Sequence, residues 1–206
     1  MTDPQLSLLD RRHLVEALAA LGGSAKAVVL VGSRARGVGD ASSDIDLLVV
    51  SSGPRLHAAG RVQIIQASEE ELERRLEMGD DFAAWVIRYG KPIQGRSRWR
   101  ALRDRLSTIQ QWPDARIKWK KARTHVEAAR SLLDLGDRDA ALEEAKVGLS
   151  HLARALLLDR GVFPLSRPEL PGQLTAIGER ELAQAMSSGD GEVDVLVPLL
   201  LSRTHD

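Results

Sequence analysis

The segment VVLVGSRARGVGDASSDIDLLVV, residues 28–50, constrains the fold of this chain more than any other stretch. With the alanine before it, its apolar start Ala27–Val31 is short and β-branched, which suits a buried strand closed by Gly32 and Ser33. A polar connection containing Gly37 leads to a second apolar run, Ile45–Val50, which reads as another buried strand. After the turn-prone Ser-Ser-Gly-Pro comes RVQIIQ, a third strand at residues 61–66. Strands so close along the chain predict a small sheet.

The flanks are helical. Leu8, Leu9, Leu14, Leu18 and Leu21 recur near helical spacing and mark a first helix at residues 7–21, ended by two glycines. Ser68 with Glu71 forms a capping-box pattern that opens a helix to Met78. Asp80 or Asp81 caps the next, which runs toward Tyr89. Lys91–Gln94 reads as an edge strand, because Pro92 removes a ladder donor. Beyond Gly95 only helices are expected, at residues 99–109, 114–135 and 138–159, followed by two or three shorter ones. The fold class is therefore α+β, a small mixed sheet flanked by helices and then an all-helical bundle, with domains expected at residues 1–95 and 96–206.

Composition narrows the function classes. Hydrophobic residues at 43% and charged residues at 28% fit a globular protein rather than a disordered chain. The 29 Lys and Arg cancel the 29 Asp and Glu, which removes any whole-molecule attraction to nucleic acid or an anionic membrane. The absence of cysteine excludes disulfides, thiolate metal sites and cysteine nucleophiles. No apolar stretch reaches the roughly 20 residues of a membrane span. The start lacks a secretory signal pattern, so a cytoplasmic location is expected.

The chemistry lies in the connection. Residues two apart on a strand share a face, so Asp44 and Asp46 project together while Ile45 packs behind. Paired carboxylates repel unless a proton or cation sits between them, and hard oxygen donors suit Mg²⁺ or Mn²⁺. Gly32 permits close backbone approach, and Ser33 with the turn amides offers a concavity for phosphate oxygens. Arg34 and Arg36 add positive charge beside it.

Gly-Ser-Arg-Ala-Arg-Gly followed by Ser-Asp-Ile-Asp-Leu resembles the nucleotidyltransferases of the DNA polymerase β type, and among them the minimal nucleotidyltransferases and small-molecule adenylyltransferases. The resemblance covers residues 10–95 and implies that Gly32 and Ser33 bind a nucleoside triphosphate while Asp44 and Asp46 hold the metal. It implies transfer of a nucleoside monophosphate, with ATP the expected donor, to a hydroxyl of a small molecule or a protein. The family pattern has a third carboxylate on the next strand. Here the matching position is Gln63, with Gln66 as the other register, and neither is acidic. A glutamine oxygen coordinates a metal but cannot act as a general base at neutral pH. Glu69, Glu70 and Asp40 are the other acids available to replace it. A second reading is a catalytically impaired nucleotide-binding module of antitoxin type.

Between Lys91 and Arg123 the net charge is +9, with Trp99, Trp112 and Trp119 interleaved. That mixture suits nucleotide or RNA contacts, but tryptophans packed between two modules with solvated charges around them is the favoured reading, and nucleic acid ranks below a small acceptor. The helices from Trp119 to Arg160 resemble the HEPN-type domains that accompany minimal nucleotidyltransferases. No histidine follows Arg160 within the range that ribonucleases of that group use. His125 and His151 sit on helices without a spaced partner. A homo-oligomer is compatible with the sequence.

Overall fold

Four strands, β1 (Ala27–Val31), β2 (Ile45–Val50), β3 (Val62–Ala67) and β4 (Lys91–Gln94), form one mixed sheet in the order β3-β2-β1-β4. The structure, a computed structural model, describes residues 25–40, 43–53, 61–109, 111–188 and 192–204, with positions 12, 15, 16 and 19 before them. The expected first helix falls mostly outside the described residues. The central strand β1 runs antiparallel to both β2 and β4, and β2 runs parallel to β3. β1 is buried along its whole length and β2 nearly so, which is why both read as unbroken apolar runs rather than alternating ones. β4 takes the edge, where the missing N–H of Pro92 is tolerated.

A short helix, α1 (Gly32–Arg36), follows β1 directly. Next come α2 (Glu69–Glu77) and α3 (Asp81–Tyr89). Ser68 caps α2 by accepting from the Glu71 amide at 3.1 Å, and Asp80, not Asp81, caps α3 by accepting from the Ala83 amide at 2.8 Å. α4 (Arg96–Ser107) buries Trp99, Leu102 and Leu106 and packs on β1, β4, α2 and α3. The sequence places the domain boundary after Gly95, whereas the compact units are Met1–Pro113 and Asp114–Asp206, because the apolar face of α4 completes the sheet's own core. Trp99 is accordingly a core residue of the first unit. Trp112 stands half exposed with the Arg88 guanidinium 5.9 Å from its ring centre.

The second unit is helical. α5 (Ala115–Asp134) and α6 (Arg138–Asp159) form a hairpin through Leu135, Gly136 and Asp137. Small residues let them approach: a Cβ on Gly148 would lie 3.0 Å from Val126 Cγ2. α7 (Leu170–Ala176), α8 (Arg180–Ser187) and α9 (Val193–Thr204) complete its core with Leu174, Leu182 and Leu200. Trp119 donates its indole N–H to Asp159 at 2.6 Å and so ties α5 to α6. No described helix is long and apolar enough to cross a membrane.

His125 and His151, isolated in the sequence, stack across this hairpin with ring centres 5.4 Å apart, and His125 Nδ1 lies 2.6 Å from Glu144 Oε2. Burial, followed by the charges of Lys118, Lys121 and Arg154, pushes His151 down from 6.5 to about 3. The native imidazole is neutral, and below pH 6.5 the unfolded chain takes up a proton that the folded chain refuses. Stability should therefore fall as pH drops from 6.5 toward 3. Urea midpoints measured between neutrality and the carboxylate range should decline in the wild type and decline less in His151→Gln. Equal slopes would refute the assignment.

Candidate active site

The site begins where β1 ends. Val31 pairs with Asp46 across the antiparallel β1–β2 ladder, which sets the Asp46 side chain against the backbone of Gly32. Gly32 has φ +70°, and a Cβ there would collide with Asp46 Oδ2. Only glycine meets both conditions. Ser33 follows, half-buried, and its carbonyl accepts from the amides of Val38 and Gly39 at 3.1 and 3.2 Å, which folds the loop back over α1. The glycine-serine bend and the second aspartate are therefore in direct contact.

Asp44 stands just before β2, its side chain half exposed. The parallel β2–β3 ladder pairs Asp46 with Gln63, and Gln63 Nε2 donates to Asp44 Oδ2 at 3.2 Å. Gln66 donates instead to the Gly53 carbonyl at 2.7 Å. The register thus brings Gln63, and not Gln66, to the two aspartates. Glu69 pairs with Lys26 at 2.9 Å and with Arg105, beyond the far end of β3, and Glu70 neighbours it. Asp40 receives the Ser43 amide at 2.9 Å and the Ser43 hydroxyl at 3.1 Å, so it shapes the loop.

The two arginines of α1 do different work from one another. Arg34 is 4% exposed, and its guanidinium donates to the Ser43 carbonyl at 2.8 and 3.1 Å and to the Asp44 carbonyl at 3.2 Å. It fixes the chain from which Asp44 projects. Arg36 lies over the Tyr89 ring, 4.6 Å from its centre, and Tyr89 packs on Trp85. Arg61, which sequence reasoning missed, donates to the Ser43 carbonyl at 2.9 Å and approaches Asp44 Oδ1 at 3.9 Å. The signal was available: Arg61 precedes Gln63 by two and so shares its face.

Burial raises the Asp46 carboxyl above its ordinary 3.8, the like charge of Asp44 raises it further, and Arg34 opposes both. Such a carboxylate is relieved by a cation between the pair. Two carboxylate oxygens and a neighbouring amide oxygen are hard donors and fit a magnesium-like ion completed by phosphate and water. Among the described residues no cluster of three His, Cys, Asp or Glu side chains is arranged to hold a metal.

Residues 11–95 match the model of the family described as nucleotidyltransferase domain. The crystal structure of a nucleotidyltransferase-like protein from Exiguobacterium sibiricum is similar at 20% identity with a TM-score of 0.44, covering 93% of this chain and 71% of that one. Among curated proteins none matches.

Because its folded value is raised, the Asp46 charge costs stability at neutral pH, and that cost disappears once pH falls below 3.8. Asp46→Asn should raise the Tm of the metal-free chain at neutral pH. Calorimetry should show the gain shrinking on acidification. A lower Tm for the variant would contradict the account.

Proposed function

We propose that the N-terminal unit transfers a nucleoside monophosphate from a nucleoside triphosphate, ATP being the expected donor, to a hydroxyl of a small molecule or a protein. The observation that carries this reading is the contact between Asp46 and Gly32, which joins a carboxylate pair to the glycine-serine bend. Asp44 and Asp46, with Gln63 beside them, would hold Mg²⁺ or Mn²⁺. When bound, the ion supplies positive charge to the phosphoryl oxygens. Gly32 and Ser33 receive the triphosphate through backbone amides and the serine hydroxyl. Arg34 keeps Asp44 in place, and Arg36, which lies over Tyr89, adds positive charge to α1.

In this transfer the acceptor oxygen forms a bond to the α-phosphorus, the bond to the β-phosphate oxygen breaks, and pyrophosphate leaves. Gln63 accepts no proton, so the hydroxyl proton passes to water. The match at residues 11–95 supports the class of reaction. A HEPN-like identity for the helical unit and a cytoplasmic site of action accompany the proposal.

One observation favours a second reading. Gln63 is neutral and hydrogen-bonded to Asp44 where an acid would assist the acceptor, which suits a nucleotide-binding or antitoxin-type module without turnover.

Magnesium-dependent pyrophosphate release across candidate acceptors decides between them. Asp44→Ala and Asp46→Ala should each lower the rate by about a hundredfold or more with the fold intact. Gln63→Asp should raise it by about tenfold or more. In calorimetry Ser33→Ala should weaken triphosphate binding more than monophosphate binding. Undiminished transfer by either alanine variant overturns the assignment. Tight binding of ATP with Mg²⁺ but no release establishes the second reading.

A further inference from the structure

Two guanidinium groups converge on one carbonyl at the entrance to the aspartate pair. The Ser43 oxygen accepts from Arg34 at 2.8 and 3.1 Å and from Arg61 at 2.9 Å. Arg34 is sealed from solvent. Arg61 is not: its side chain is 36% exposed, beside an Asp44 side chain that is 50% exposed, with 3.9 Å between Arg61 Nε and Asp44 Oδ1. The formal charges of Asp44 and Asp46 are thus matched by those of Arg34 and Arg61.

This balance bears on how many cations the site takes. One divalent ion is accommodated by both carboxylates and by the phosphates that arrive with it. A second ion at the outer side of Asp44 needs an anionic donor of its own. Gln63 brings no charge there, and Arg61 brings a positive one that repels an incoming cation. Arg61 and Gln63 approach the two oxygens of the Asp44 carboxylate, Arg61 at Oδ1 and Gln63 at Oδ2, so both act on the same group.

We infer that the site takes a single divalent ion with its nucleotide and that Arg61 is the second positive charge at the carboxylates. Arg61 is a positioning residue: it orients Asp44 through the Ser43 carbonyl and occupies electrostatically the place of another cation. The inference rests on the nucleotide-handling reading and narrows its metal requirement.

The test is a Mn²⁺ titration of the full chain followed by electron paramagnetic resonance, with a nonhydrolysable ATP analogue present. The wild type should bind one Mn²⁺ per chain, and the double variant Arg61→Ala with Gln63→Asp should bind two. Without nucleotide, Arg61→Ala should tighten Mn²⁺ binding by about tenfold, because a repelling charge is gone. Arg61→Lys should stay close to the wild type, since it keeps the charge. Circular dichroism confirms that the variants are folded. Two ions on the wild type, or equal Mn²⁺ affinity in the alanine and lysine variants, overturns the inference and leaves the nucleotide reading intact. No Mn²⁺ and no nucleotide bound overturns both.

Discussion

The close approach of the Asp46 carboxylate to Gly32 is the contact from which the rest of the site follows. It exists because β1 and β2 are antiparallel with Val31 opposite Asp46, so the last residue of one strand and the second of the next meet at the same sheet end. A one-residue slip would turn Asp46 inward and Ile45 outward, exchanging a buried isoleucine for a buried acid. The apolar faces of β1 and β2 therefore hold the site's register as firmly as they hold the core. Gly32 is the geometric consequence: with φ +70° and no room for a Cβ, the bend exists only where a side chain does not.

Arginine is used around this contact mainly to hold backbone. Arg34 spends its guanidinium on the carbonyls of Ser43 and Asp44, and Arg61 shares the first of these. A buried cation is costly unless it is hydrogen-bonded. Arg34 meets that condition within the loop, and its field also offsets part of the repulsion between the aspartates. The loop is in this way fixed by the same charges that moderate the acids it presents.

Much of this was legible in the sequence, and the exceptions have physical causes. β1, β2 and β4 have the boundaries that their apolar runs and Pro92 indicate, because strand ends are set by local chemistry. Gly32, Ser33, Asp44 and Asp46 could be grouped because spacing along a strand fixes which side chains share a face. The compact-unit boundary differs because α4 is strongly basic and looks solvated, while its burial depends on Trp99, Leu102 and Leu106 meeting a sheet that periodicity alone does not reveal. The roles of Arg34 and Arg61 were hidden for a similar reason: a charge near a loop gives no sign of which carbonyl it reaches. His125 and His151 each lie 13 residues from Arg138, so a hairpin folded there brings them together, but that symmetry means something only once the turn is known.

Gln63 shows how a single neutral substitution changes the logic of a carboxylate site. An acid there would add a third negative charge beside Asp46, whose carboxyl is already held above its ordinary range by burial and by Asp44. An amide adds none and donates to Asp44 instead, which lowers the energy of the pair before any cation arrives. The same exchange removes a proton acceptor and a strong metal donor. A site so arranged gains stability in its empty form and loses driving force in its loaded form. The proposed transfer and the proposed nucleotide-binding role differ in that one side chain, since the carboxylate pair and the bend are common to both.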